Sequence, residues 1–211
     1  MPPEEECRRV LLGLEAVRRT GAQLPVSVDT FRSCVVEAAL DAFGAVWVND
    51  ISAGEADERM LPTVAANGLT YIAMHMRGTP QTMQSLTRYD GDIVDEVVAW
   101  ARAKRTELER AGIARERILL DPGFGFAKTT EQNYALLRGL HRLCAEGLPV
   151  VAGVSRKSMI WKVLECTPDE SLAGTLALEW ECLRQGAQVL RVHDVRAAAD
   201  MVRLFEFYRQ R

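Results

Sequence analysis

The chain has 211 residues, 48% hydrophobic, 26% charged and 7% aromatic, with 15 Gly and 8 Pro. That is the make-up of one globular domain able to bury about 70% of its unfolded surface, so a small disulfide- or metal-stapled scaffold is excluded. The 26 Lys and Arg against 29 Asp and Glu leave a net charge of −3 with no long block of one sign, which speaks against a nucleic-acid-coating or polybasic membrane surface.

A helix is expected first, over 4–20, where Val10, Leu11, Leu14 and Val17 recur at helical spacing before Gly21. Strands and helices then alternate. Short β-branched runs at 24–29, 45–50, 70–75, 117–121, 148–154 and 187–193 are separated by helical patterns at 31–42, 56–67, 92–111, 130–146, 168–186 and 195–208. Gly44, Gly68, Gly112, Gly147 and Gly186 stand where helices end. Six strands each followed by a helix imply a parallel sheet covered by helices. No linker or repeat interrupts the pattern, so one domain over 1–211 is expected. The apolar stripe of the last helix, Leu204, Phe205, Phe207 and Tyr208, could be core or a dimer face, core being the default.

Five scattered cysteines without a Cys-x-x-Cys pair read as reduced thiols. The start Met1-Pro-Pro-Glu-Glu-Glu6 is acidic where a secretory leader is basic and then apolar, and no run approaches the roughly 18 apolar residues of a membrane span. A soluble cytoplasmic protein is expected, with neither nucleic acid nor membrane as partner.

Polar residues gather at the C-terminal end of every strand: Asp29, Asn49 and Asp50, His75, Asp121, Ser155 to Ser158, and Arg191, His193 and Asp194. An open doubly wound sheet would concentrate its site at one switch point and open with a glycine-rich turn, whereas the first turn here is Asp29-Thr30-Phe31-Arg32. A ring of polar strand ends suits an α/β fold of the (β/α)8 TIM-barrel type. The chain is short for one, since about 250 residues are typical.

Read residue by residue, these groups suit a flat heterocycle and an anion. Asp121 before Pro122-Gly123 can accept two parallel hydrogen bonds, or it can simply cap a turn. Phe126 is either an apolar wall or ordinary packing. Gly153 to Ser158 runs from strand into helix, where backbone N–H groups and the Ser158 hydroxyl could receive an anion. Lys157 can pair with the carboxylates, and Arg156 and Lys157 can equally be a solvated first turn. Period two puts Arg191 and His193 on one face with Val192 opposite, two donors suited to a diphosphate. His75 reads as structural and Asp50 as the cap of its own turn. No His-x-x-x-His or carboxylate cluster has metal-ligand spacing, so no protein metal ligand is named.

Six segments taken together, Ser27 to Thr30, Asn49 to Ser52, Met74 to Gln84, Asp121 to Phe126, Gly153 to Ser158 and Arg191 to Val195, resemble dihydropteroate synthase of the pterin-binding barrel family. The resemblance covers nearly the whole chain, in order. It implies condensation of 6-hydroxymethyl-7,8-dihydropterin diphosphate with p-aminobenzoate to give 7,8-dihydropteroate and diphosphate. It assigns Asp29, Asn49, Asp121 and Lys157 to the pterin, Phe126, Lys157 and Ser158 to p-aminobenzoate, and Arg191 and His193 to the leaving diphosphate, with Lys157, Arg191 and His193 as the catalytic groups. It also implies Mg2+, whose usual protein ligand belongs to an N-terminal segment not seen here, and a homodimer. About six βα units are present; the family's first two strands and their loops are not recognised, which predicts unpaired strand edges and self-association. Two alternatives accompany the synthase: a pterin-binding protein without turnover, and a methyltetrahydrofolate-type methyltransferase of the same family.

Overall fold

Residues 1–210 are described in a computed structural model, and the alternation is realised there. The chain runs α1 (Pro3–Arg19), β1 (Ser27–Asp29), α2 (Ser33–Phe43), β2 (Trp47–Asp50), α3 (Met60–Ala66), β3 (Thr70–Met74) and α4 (Ile93–Arg110). It continues with β4 (Ile118–Asp121), α5 (Thr130–Arg138), α6 (Leu140–Cys144), β5 (Val151–Ala152), α7 (Ser158–Trp161), α8 (Leu172–Arg184), β6 (Val189–Leu190) and α9 (Val195–Arg209). Each predicted strand is present, and several are shorter than their apolar runs. Pro25 and Pro149, which lack the N–H a ladder needs, lie outside β1 and β5. The helix expected over 130–146 is broken at Gly139, which ends α5 and precedes α6. A Cβ at Gly139 would stand 2.7 Å from a Val94 methyl, so glycine lets this corner pack closely on α4. The five helix-closing glycines all have positive φ, from 58° at Gly68 to 103° at Gly186.

Two compact units are resolved. The first comprises Met1–Met74 with Ala103–Leu119. Its strand order is β1-β2-β3-β4, β4 entering through Ile118 and Leu119, and the registers Val28 to Val48 and Val48 to Tyr71 are parallel. Every residue of β3 is buried, as a strand covered on both faces requires. Leu14 of α1 packs with Val28, Val35, Ala39 and Val46, flanked by Val10 and Leu11, so the leading helix uses its predicted stripe. At that helix's start, buried Glu6 accepts from the Thr30 hydroxyl at 2.6 Å and from the Arg32 guanidinium, fixing the turn after β1.

The second unit comprises His75–Arg102 with the residues from Leu120 on. There the His75 N–H donates to the Asp121 carbonyl at 2.9 Å, Leu120 bridges Val150 in parallel, and Val151 and Ala152 pair with Val189 and Leu190. The polar strand ends of this unit are thereby brought to one side of a parallel array. Trp180 of α8 meets Phe205 of α9 edge-on, 5.1 Å between ring centroids. The stripe of α9 divides: Phe205 is buried, as the core default has it, whereas Leu204, Phe207 and Tyr208 are exposed. Among the described residues no helix is long and apolar enough to cross a membrane.

Glu179 of α8 is 1% exposed, and neither carboxylate oxygen has a hydrogen-bond partner among the described residues. Burial, with a smaller push from Asp194, raises its pKa from 4.5 to about 7. An acid whose folded pKa exceeds its unfolded one weakens the fold as pH climbs through that interval, and the cost is complete above it. Glu179→Leu is therefore expected to raise the melting temperature at pH 8 by more than at pH 5, each kcal/mol being worth about 2–4 °C at this size. Equal gains at both pH values in scanning calorimetry would refute the ionisation as the cause.

Candidate active site

In the second unit the site begins with Asp121, the last residue of β4, 5% exposed. Its Oδ1 accepts the Gly123 N–H at 2.7 Å, closing the Pro122-Gly123 turn, while no hydrogen bond reaches Oδ2 from the described residues. The turn-capping reading therefore holds at Oδ1. Burial holds the carboxyl above its usual range, opposed by Lys157, the Gly123 N–H, Lys128 and Arg191. Gly123 has φ +68°, and a Cβ on it would fall 2.0 Å from the His75 carbonyl oxygen.

The loop that follows is tied at several points. Lys128, 4% exposed, points its ammonium at His75 Nδ1 (2.9 Å) and at the Gly123 and Phe126 carbonyls (3.0 Å each). Burial lowers the Lys128 pKa to about 7, against the pull of Asp121. His75 is buried and edge-on to Trp100, 5.2 Å between centroids. Burial and then the Lys128 and Arg77 charges lower its pKa to about 3, so the ring is neutral and accepts at Nδ1. The Gly125 N–H donates to buried Asn133 (2.7 Å), and the Tyr89 hydroxyl donates to the Ala127 carbonyl (3.0 Å). This leaves Phe126 half-buried with the Lys157 ammonium 4.8 Å from its ring centroid. Lys157 donates to the Phe124 carbonyl and has no hydrogen bond to a carboxylate among the described residues. The expected pairing is thus corrected: Asp121 acts on Lys157 through space only. Burial is the larger influence and lowers the Lys157 pKa to about 8.

Beyond β5, buried Ser155 accepts the His193 N–H at 3.2 Å and lies 3.0 Å from His193 Nδ1, so it holds the imidazole. Arg156, in a left-handed conformation with φ 54°, forks onto Asp194 at 2.8 and 2.9 Å. It is thus more than a solvated side chain: it clasps the β5 loop to the start of α9. Ser158 is half-buried and opens α7, a single turn of four residues, so little helix dipole backs the expected anion seat. β6 ends at Leu190, so Arg191 and His193 lie past the strand. Both are exposed while Val192 between them is less so, which keeps the predicted alternation.

In the first unit Asn49, 7% exposed, donates through its amide to Asp29 Oδ1 across adjacent strand ends. Asp29 itself is exposed. Asp50 is fully buried and accepts from the Ser52 N–H and hydroxyl, the Gly54 N–H and the Tyr71 hydroxyl, all at 2.7 to 2.9 Å, so it does cap its own turn.

Sequence reasoning missed Lys128, Asn133 and Tyr89 and named Ser155 only among the polar strand ends; Lys128 and Tyr89 meet partners 53 and 38 residues away, which no local pattern marks.

With this geometry in view, the pterin binding enzyme family profile matches residues 1–193. The chain belongs to the pterin-binding enzyme family. Its relatives there are dihydropteroate synthases: that of Synechocystis is 42% identical over 202 residues, covering 95% of this chain and 69% of the relative. The folic acid synthesis protein fol1 of Schizosaccharomyces pombe is 38% identical over 204 residues, and the chain spans 28% of its length. The Xanthomonas albilineans dihydropteroate synthase, solved with 4-aminobenzoic acid, superposes with a TM-score of 0.91 at 38% identity, covering 99% of this chain and 73% of that one. The fold class is accordingly the (β/α)8 type of these enzymes, with six βα units in the chain. The function is the dihydropteroate synthase transfer of folate biosynthesis, and the methyltransferase alternative is set aside.

Gly123→Ala is expected to damage this site selectively. A methyl 2.0 Å from a backbone carbonyl cannot be accommodated without moving β3 or the loop, so the variant should melt well below the parent and lose pterin binding. A Gly123→Ala chain with parental melting and pterin affinity would refute the described turn.

Proposed function

We propose that the chain joins 6-hydroxymethyl-7,8-dihydropterin diphosphate to p-aminobenzoate using the strand-end groups described above. The observation that carries this is Asp121: a buried carboxylate with one oxygen fixed by the Gly123 N–H and the other left for a donor edge. An aminopyrimidine ring offers such an edge. Asn49, oriented by Asp29, takes the role on the first unit that the family resemblance implies for both.

In the reaction the methylene carbon loses its bond to the diphosphate oxygen, which departs with the electron pair. The amine nitrogen of p-aminobenzoate then bonds that carbon and releases a proton to solvent. Arg191 and His193 receive the leaving diphosphate; His193 is set for this by Ser155. Lys157, held on the Phe124 carbonyl and over Phe126, supplies positive charge beside the ring without being neutralised by Asp121. Phe126 and Ser158 bound the p-aminobenzoate side; the Xanthomonas neighbour's bound 4-aminobenzoic acid supports that ligand class. Stabilising charge as it develops is the usual main source of rate, each such donor being worth about 100- to 1000-fold.

Mg2+ is the cofactor the family resemblance implies. Among the described residues no three His, Cys, Asp or Glu side chains converge on a point that could hold a cation, so these residues do not fit a protein-built Mg2+ site. The groups assigned to the diphosphate are donors suited to the anion itself. A homodimer is supported by the exposed Leu204, Phe207 and Tyr208 of α9. A single domain over 1–211 and cytoplasmic residence remain part of this reading.

The test is calorimetric and enzymatic. The parent chain should bind the pterin diphosphate and release diphosphate when p-aminobenzoate is added. Asp121→Ala should abolish pterin binding, and Arg191→Ala should retain it while slowing release about 100-fold or more. Unaltered pterin affinity in Asp121→Ala would sink the assignment. Binding without any diphosphate release by the parent would favour the pterin-binding protein without turnover.

A further inference from the structure

We propose that Lys128 is a positioning residue: its ammonium ties the Gly123 and Phe126 carbonyls and the His75 ring into one frame that holds Asp121 and Phe126 in register for their ligands. The proposal rests on the reading of Asp121 and Phe126 given above.

An ammonium has three donors, and Lys128 has three acceptors within 3.0 Å, two of them on the loop that carries Phe126 and one on the segment after β3. None of the three is a carboxylate. Taking a lysine out of water without an ion-pair partner in contact is costly, and burial of this kind persists only where the surroundings demand it. What they demand here is legible in the backbone. Gly123, Gly125 and Ala127 all have positive φ, 68°, 81° and 49°, and for alanine that conformation is strained. A segment alternating in and out of the left-handed region would relax unless tied on both sides. Lys128 ties it internally and to His75, Asn133 binds the Gly125 N–H, and Tyr89 binds the Ala127 carbonyl.

The tie reaches the ligand groups by short routes. Gly123 provides both the N–H that orients Asp121 Oδ1 and the carbonyl that Lys128 holds. Phe126 presents its ring to Lys157 while its carbonyl is held by Lys128. His75 donates its N–H to the Asp121 carbonyl, so the third acceptor lies on the strand neighbour of Asp121 itself. Lys128 thus touches the partners of both ligand-facing groups and need touch no ligand.

The probe is 7,8-dihydropteroate, which contains both the pterin and the p-aminobenzoate portions, titrated calorimetrically well below each variant's melting temperature. Lys128→Met should weaken binding at least ten-fold in chains that remain folded by circular dichroism, with Lys128→Arg recovering much of the loss. The His75 ring should also report the change. By NMR its titration should move upward in Lys128→Met, where the cation at Nδ1 is gone, and stay low in Lys128→Arg, which keeps a cation there. A folded Lys128→Met chain with parental affinity overturns the proposal. If Lys128→Met does not fold, Lys128→Gln, similar in length with two donors, is read in its place, and parental affinity there overturns the proposal equally. Asp121→Ala and Phe126→Ala separate the two readings. If both bind dihydropteroate as the parent does, the site assignment has failed; if both weaken while Lys128 variants do not, only the role of Lys128 has.

Discussion

A carboxylate buried at the end of a strand must be met by donors or give up its charge, and the second unit is folded around that constraint at Asp121. One oxygen is met by the Gly123 N–H, which requires the chain to reverse at once, and the reversal brings the backbone so close to His75 that only glycine fits. The reversal in turn leaves carbonyls pointing inward. Lys128 meets two of them, those of Gly123 and Phe126, at 3.0 Å each.

The charges around Asp121 have a common arrangement: Lys128, Lys157 and Arg191 all act on it through space, and each hydrogen bond found for the two lysines goes elsewhere. Had either lysine closed on the carboxylate, both would be spent on each other and the heterocycle would have to break an ion pair to bind. Holding each ammonium on carbonyls keeps the field positive while leaving Oδ2 open. The neutral state of His75 belongs to the same design, since a second cation beside Lys128 would be repelled. Such preorganisation lets a site stabilise leaving charge without rearranging as the bond breaks.

Much of this architecture was legible in the sequence, for reasons that can be named. Strand and helix periods differ sharply, so six βα units could be placed, and polar residues closing apolar runs marked Asp29, Asn49, Asp121, Arg191 and His193. What was hidden depends on contacts between segments far apart in the chain. Lys128 meets His75 from 53 residues away, and Arg156 finds Asp194 from 38 away, so no local pattern distinguishes a lysine in a frame or an arginine in a clasp from solvated cations. The close packing of Gly139 on Val94 is likewise a contact between segments distant in the chain. Ser158 was marked by its place at the start of a helix, and that helix proves to be a single turn, so little dipole adds to its hydroxyl.

The division of labour within the chain follows from where strain is kept. The interiors of the strands and the stripe of α1 on its core are regular and apolar, and the polar groups stand at the strand ends. The non-glycine residues with positive φ include Ala53, Ala127 and Arg156, each in a loop after a strand end and each held by side chains at a distance or by a buried carboxylate cap. Strained loops can be altered in small steps without disturbing the sheet beneath them, provided their ties survive. The ties are therefore positions at which a substitution can disturb a loop while the secondary structure stays intact.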